Sequence, residues 1–152
     1  MHVEYLVVHT ADHGGIDQET GQPWERDTTA EEIDRWHREE RGWSEIGYHA
    51  VVRWSGQVEP GRDERRQGAH VLGLNNRSLG VCCSGAGDYF ELKPMQIQGL
   101  RAILMQWMDR YHVPAIRVIG HREAKNIPGV PDPGKTCPGL MVNMDEIRSM
   151  LS

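Results

Sequence analysis

Two histidines and a cysteine are the side chains here best suited to chemistry. His9 follows Leu6-Val7-Val8, and His121 follows the run 116–120. Each stands where an apolar, strand-like run ends, and side chains at strand ends are held rigidly yet reach an open cleft. Cys137 lies in Gly134-Lys135-Thr136-Cys137-Pro138-Gly139. Two neutral imidazoles and a thiolate make a three-point zinc set with the fourth position left for water. The three are far apart in the chain rather than gathered in a local C-x-x-C or H-x-x-x-H unit. Their spacing therefore also fits two core histidines and a buried thiol.

Lys135 precedes Cys137 by two residues, and in an extended segment such side chains share a face. An ammonium there could polarise a carbonyl or stabilise an oxyanion; the commoner fate is an exposed loop lysine. Tyr48 is expected on the strand face of Ala50, Val52 and Trp54, with His49 on the other, so the two should not line one site. Its phenol could donate to an oxyanion or position water, or could belong to a core tyrosine with a satisfied hydroxyl. His13 reads as a spare ligand or a solvated loop residue. His2, His37, His112 and Glu39-Glu40 are given no chemical role, and Cys82 and Cys83 read as packing residues of a buried strand. Asp63 and Glu64, adjacent in a loop, look like solvated charges rather than the facing carboxylates of a glycosidase.

The elements that must position these groups follow from pattern. Residues 3–8 alternate and are β-branched, predicting a buried strand. Residues 13–27, with Gly14, Gly15, Gly21 and Pro23, read as a long loop. Thr28 and Thr29 are each followed three residues later by glutamate, a doubled capping-box signal for a helix reaching about Arg41, with Ile33, Trp36 and His37 inward. Residues 47–54 predict a second strand that turns at Ser55-Gly56 into Val58. Residues 79–83, apolar on both faces, predict a central one. Pro94 opens a helix carrying Ile97, Leu100, Ile103, Leu104, Trp107, Met108 and Tyr111 at helical spacing. A short strand over 116–119, a proline- and glycine-rich loop over 126–139 and a closing helix over 143–151 complete the chain. Strands alternating with helices, plus one hairpin-like pair, predict an α/β domain with a mixed sheet flanked by helices.

Bulk properties narrow the function classes. The 152 residues suit one compact domain, and 38% hydrophobic residues can build its core. A net charge of −5 argues against a general nucleic-acid binder. No stretch approaches the roughly 20 apolar residues that span a bilayer, so no membrane insertion is expected. The opening residues hold only a short apolar run over 5–8 without a basic flank, which is not a secretory signal. Three cysteines, two of them neighbours, do not suggest a disulfide framework. A soluble protein made in a reducing cytoplasm is expected, delivered by other means if its target lies outside the membrane.

The run Trp36-His37-Arg38-Glu39-Glu40-Arg41-Gly42-Trp43, then Gly47-Tyr48-His49 and Gly61-Arg62-Asp63-Glu64, resembles the amidase-type lysozymes of bacteriophages. Gly68-Ala69-His70, the block 75–81 and Lys135-Thr136-Cys137-Pro138 extend the resemblance over nearly the whole chain, in the same order. The wider family is the zinc N-acetylmuramoyl-L-alanine amidases, which includes the peptidoglycan recognition proteins. The resemblance implies a central mixed sheet flanked by helices, with one zinc per chain on His9, His121 and Cys137. It implies Tyr48 and Lys135 as the catalytic pair, and cleavage of the amide joining N-acetylmuramic acid to L-alanine in peptidoglycan by a phage or prophage endolysin, expected to be monomeric. His70 falls at a recurrent position near the groove, as a substrate or supporting contact; Asn75 and Arg77 could likewise meet substrate or cap a turn. Family members lacking the cysteine ligand bind peptidoglycan without cutting it, and Cys137 argues against that reading. Residues 127–133 lengthen the loop before Cys137 beyond the family's shortest form, and their prolines should stiffen one wall of the groove.

Overall fold

A computed structural model describes all 152 residues. Its core is a five-stranded mixed sheet. Strand β1 (Tyr5–Thr10), rich in leucine and valine, is one of its inner strands. A hairpin of β2 (Gly14–Ile16) and β3 (Pro23–Glu25) and helix α1 (Ala30–Arg41) follow, then β4 (Ala50–Val52) and β5 (Val58–Pro60). Strand β6 (Ser78–Cys83), helix α2 (Pro94–Tyr111), β7 (Val118–Gly120) and helix α3 (Met144–Ser149) complete the order. The sheet runs β5-β4-β6-β1-β7, parallel except for the antiparallel edge strand β5. The central strand β6 is buried along its whole length, as its two-faced apolar sequence requires.

The two faces of the sheet are closed differently, and that difference makes the site. One face presents Leu6, Val8, Ala50, Val52, Leu79, Val81 and Val118 to Leu100, Ile103, Leu104 and Trp107 of α2 and Ile147 of α3, in one continuous core. The opposite face is covered in two separate patches. Val7 and Ile119 pack against Val71, Leu74, Ala124, Ile127 and Val130, whereas Val51 and Cys82 pack against Ile33 and Ile46. His9 has the same alternation as Val7 and pairs across the sheet with Cys82, which pairs in turn with Val51. It therefore emerges between the patches.

Local sequence explains the helix ends. The Thr29 hydroxyl accepts from the Glu32 N–H at 3.0 Å, acidic residues fill the first turn and basic ones the last, and Gly42 ends α1 at a φ of 69°. Gln96, buried on α2, donates to the Val52 and Ser84 carbonyls and fastens that helix to the ends of β4 and β6.

Several expected boundaries are corrected. Residues 13–27 are not an open loop but hold the β2–β3 hairpin. Its turn is closed by the Asp17 carboxylate, which accepts from the Glu19 and Thr20 amides, and the Glu25 carboxylate ties it to the Ala86 N–H and to Lys93. The strand expected over 47–54 shrinks to Ala50–Val52, because the Gly80 N–H is taken by the His49 ring Nδ1 instead of a backbone carbonyl. Tyr48 consequently lies not with Ala50 and Val52 but on the other side of the sheet, against Ile33, Ile46, Val51 and Cys82. The strand expected over 116–119 is shifted to Val118–Gly120; the residues before it form a 3₁₀ turn that leaves Ile116 80% exposed.

Candidate active site

A groove of about 860 Å³ lies over the split face. Arg41 and Trp43, where α1 ends, line one part of it, and Pro131, Asp132 and Pro133 of the late loop line another. The proline-rich segment thus does form a wall.

His9, near the end of β1, forms the buried floor, only 1% exposed. His121 is the first residue after β7 and starts a 3₁₀ turn (His121–Asn126). The Gly120 N–H donates to the Glu123 carboxylate, itself ion-paired with Arg148, and this fixes the turn. The two imidazole centroids are 4.8 Å apart. Cys137 arrives on irregular backbone held from three sides. Thr10 Oγ1 donates to the Pro138 carbonyl at 2.8 Å, and the Arg122 N–H donates to the Cys137 carbonyl at 2.7 Å. The Arg122 guanidinium donates to the carbonyls of Thr136, Gly139 and Val142. Asp88 accepts from Thr136 Oγ1 and from the Leu140 N–H. The result is that one donor atom each from His9, His121 and Cys137 all fall within 4.8 Å of one another, with Cys137 Sγ 3.6 Å from His9 Nδ1.

Burial sets the charge state of this cluster. It holds His9 far below the usual imidazole range, helped by His70, His121 and the charge of Lys135. His121 is lowered to about 4 by burial and then by Lys135, while burial pushes the Cys137 thiol up to about 11. At neutral pH the free cluster is two neutral imidazoles and a thiol. This donor set fits a borderline-soft cation such as zinc: nitrogen lone pairs are already available, and metal uptake releases the thiol proton. Three ligands leave one coordination position for water or substrate.

Tyr48 and Lys135 both line the same groove. The Tyr48 ring centroid is 4.9 Å from that of His9. Burial, with the Cys82 and Cys137 sulfurs nearby, pushes its phenol well above the usual value, so at neutral pH it is a hydrogen-bond donor. Lys135 is exposed at the rim, and its charge acts on His9, His121 and Cys137. His49 is absent from the lining; its ring bonds the Gly80 amide and the Arg66 carbonyl.

The expected substrate contacts divide. His70 and Asn75 reach the groove, but Asn75 Oδ1 accepts from the His70 and Val71 amides, as a turn cap does. Arg77 does not line it: its guanidinium pairs with Glu4 at 2.9 Å and lies over the Tyr5 ring. His13 bonds Thr28 and stacks edge-on to Trp36, away from the three donors. Asp63 and Glu64 are engaged by Arg65 and Arg110 outside the groove. Sequence reasoning missed Arg122 and Asp88. Contacts to backbone carbonyls and amides leave no pattern of residue types, and only the position of Arg122 beside His121 hinted at a role.

A mixed α/β sheet with a groove over one face, floored by a His-His-Cys donor cluster, defines an α/β protein with a candidate metal centre. The model of the N-acetylmuramoyl-L-alanine amidase family matches residues 1–140, and the chain belongs to that family. The endolysin of Escherichia phage T7 is 40% identical over 91 residues, which cover 57% of this chain and 60% of the endolysin, so the match spans about three-fifths of that relative. Among solved structures, the N-acetylmuramoyl-L-alanine amidase LysC from Clostridium intestinale superposes with a TM-score of 0.80 at 26% identity, covering 99% of this chain and 86% of LysC. Drosophila PGRP-LB shares the fold, with a TM-score of 0.74 at 21% identity and coverage of 97% and 81%.

Proposed function

We propose that this chain is a zinc-dependent amidase that hydrolyses the bond between N-acetylmuramic acid and L-alanine in peptidoglycan, acting as a phage-type endolysin on the cell wall. The observation that carries this reading is the convergence of His9, His121 and Cys137 within 4.8 Å on the groove floor of an amidase-family chain. The likeness to LysC and to the T7 endolysin supports the reaction and its setting. We assign the activity to residues 1–152 as a single monomeric domain.

His9, His121 and Cys137 would hold one zinc ion. Zinc bound there supplies a Lewis acid that activates water at neutral pH and polarises a carbonyl. The groove lays the glycan–peptide junction across this floor. Lys135, at the rim beside Cys137, stabilises the negative charge that develops on the carbonyl oxygen, an interaction stronger in the transition state than in the bound substrate. Tyr48, protonated and beside His9, donates a hydrogen bond to the reacting oxygen and fixes its position. Asn75 has its oxygen engaged by two backbone amides, which leaves its Nδ2 for substrate.

Digestion of purified peptidoglycan tests the proposal. The expected products are free stem peptides with a new L-alanine amino terminus, lost on chelation and regained with zinc. Release of reducing sugar ends without new amino termini would reject the amidase reading in favour of a glycosidase.

A further inference from the structure

Behind His9, on the side away from Cys137, three groups form a single hydrogen-bonded file. His9 Nε2 lies 3.0 Å from His70 Nδ1, and His70 Nε2 lies 3.3 Å from Ser78 Oγ. Ser78 Oγ donates to the Leu74 carbonyl oxygen at 2.8 Å. The last link fixes the others. A carbonyl only accepts, so the Ser78 proton is committed to Leu74 and its oxygen turns lone pairs towards His70. A neutral imidazole has one N–H. His70 places it on Nε2, facing Ser78, and leaves Nδ1 bare. His9 must then carry its own proton on Nε2, which leaves its Nδ1 lone pair directed at the Cys137 sulfur.

We propose that the file Leu74–Ser78–His70 is a tautomer lock that holds His9 with Nδ1 bare towards the metal centre, so that His70 and Ser78 are positioning residues for the cation. This rests on the zinc reading above. A metal-bound histidine usually donates its second N–H to a carboxylate, a carbonyl or water. Here a second imidazole and a hydroxyl carry that role to a backbone carbonyl without adding charge.

The surroundings are shaped around this file. His9 and Ser78 are fully buried and His70 is 9% exposed. The His70 ring lies directly on Gly80, where a side-chain Cβ would come within 2.7 Å of its Cγ and Nδ1. The His70 and Val71 amides both donate to Asn75 Oδ1 at 2.8 Å, which pins the backbone that carries the ring. His70 and His9 meet nearly edge-on, at 83°.

The test compares zinc dissociation constants, by chelator competition, of zinc-loaded wild type, His70→Phe, His70→Asn and Ser78→Ala, together with ring ¹⁵N shifts of the wild-type histidines. His70→Phe should weaken zinc by about 10–100-fold. His70→Asn, whose Oδ1 falls near the lost Nδ1 and still accepts from His9, should recover most of that, and Ser78→Ala should show a smaller loss. The shifts should report both His9 and His70 protonated at Nε2. Unchanged affinity in His70→Phe, an equal loss in His70→Asn, or a His70 protonated at Nδ1 would overturn the lock. If His70→Phe does not fold, Ser78→Ala decides: weaker zinc supports the lock and wild-type affinity removes it. A wild type that binds no zinc would refute the metal reading instead, and the ring shifts would still show whether the file sets the tautomers.

Discussion

His9 and Cys137 face each other with the imidazole bare at Nδ1 and the thiol protonated, so cation binding must exchange the thiol proton for a metal bond. A hydroxyl gives up its proton far less readily. Cys137→Ser should therefore drop the zinc content from about one ion per chain to background by elemental analysis, with an unchanged circular dichroism spectrum. Lys135 touches none of the three donors through a hydrogen bond and acts through its charge. Lys135→Ala should lower peptidoglycan turnover by roughly 10²–10³-fold while zinc content stays at the wild-type level; near-normal turnover would remove its role. At this scale the sequence already contained the donor types and their places at the ends of apolar runs. Their meeting could not be read there, because it depends on the β1–β7 pairing and on Arg122 and Asp88 gripping an irregular loop by its backbone.

Elements reach this geometry through a few buried acceptors. His37 Nδ1 accepts from the Gly47 N–H at 2.9 Å, and His49 Nδ1 accepts from the Gly80 N–H at 3.1 Å; protonation would abolish both bonds. Burial lowers both imidazoles, His37 to about 4 with further help from Arg41 and Arg62. Because the folded value lies below the ordinary 6.5, the unfolded chain binds protons first as pH falls. Stability is full above pH 6.5 and should decline from there towards pH 4. Thermal melts should show this, and His37→Asn, which keeps an acceptor that does not titrate, should make the decline shallower by the His37 share while the other buried imidazoles keep theirs. Arg122→Met, which takes the guanidinium from three carbonyls and leaves that of Val142 without a donor, should cost about 1–3 kcal/mol in urea unfolding and weaken zinc binding as the Cys137 loop loosens. Helices α1 and α2 and strand β6 were legible because caps and periodicity act over many residues. The three-residue strands β4, β5 and β7 were legible in place but not in extent, and the β2–β3 hairpin was missed: alternation needs length to show, and β4 stops where a histidine ring replaces a ladder carbonyl.

For the whole molecule, the groove is a consequence of unequal cover on one sheet. Two helices seal one face, while two smaller clusters leave a gap on the other, and His9 is the strand residue that opens into it. The mixed α/β class followed from the alternation of strand-like and helical segments, but the split cover did not, since it is built from loop residues such as Val71, Leu74 and Val130. The most direct measurement is anomalous diffraction at the zinc edge from crystals of the purified protein. A single strong peak bounded by His9 Nδ1, a His121 nitrogen and Cys137 Sγ is predicted; a crystal with those atoms well separated and no peak among them would contradict the assignment.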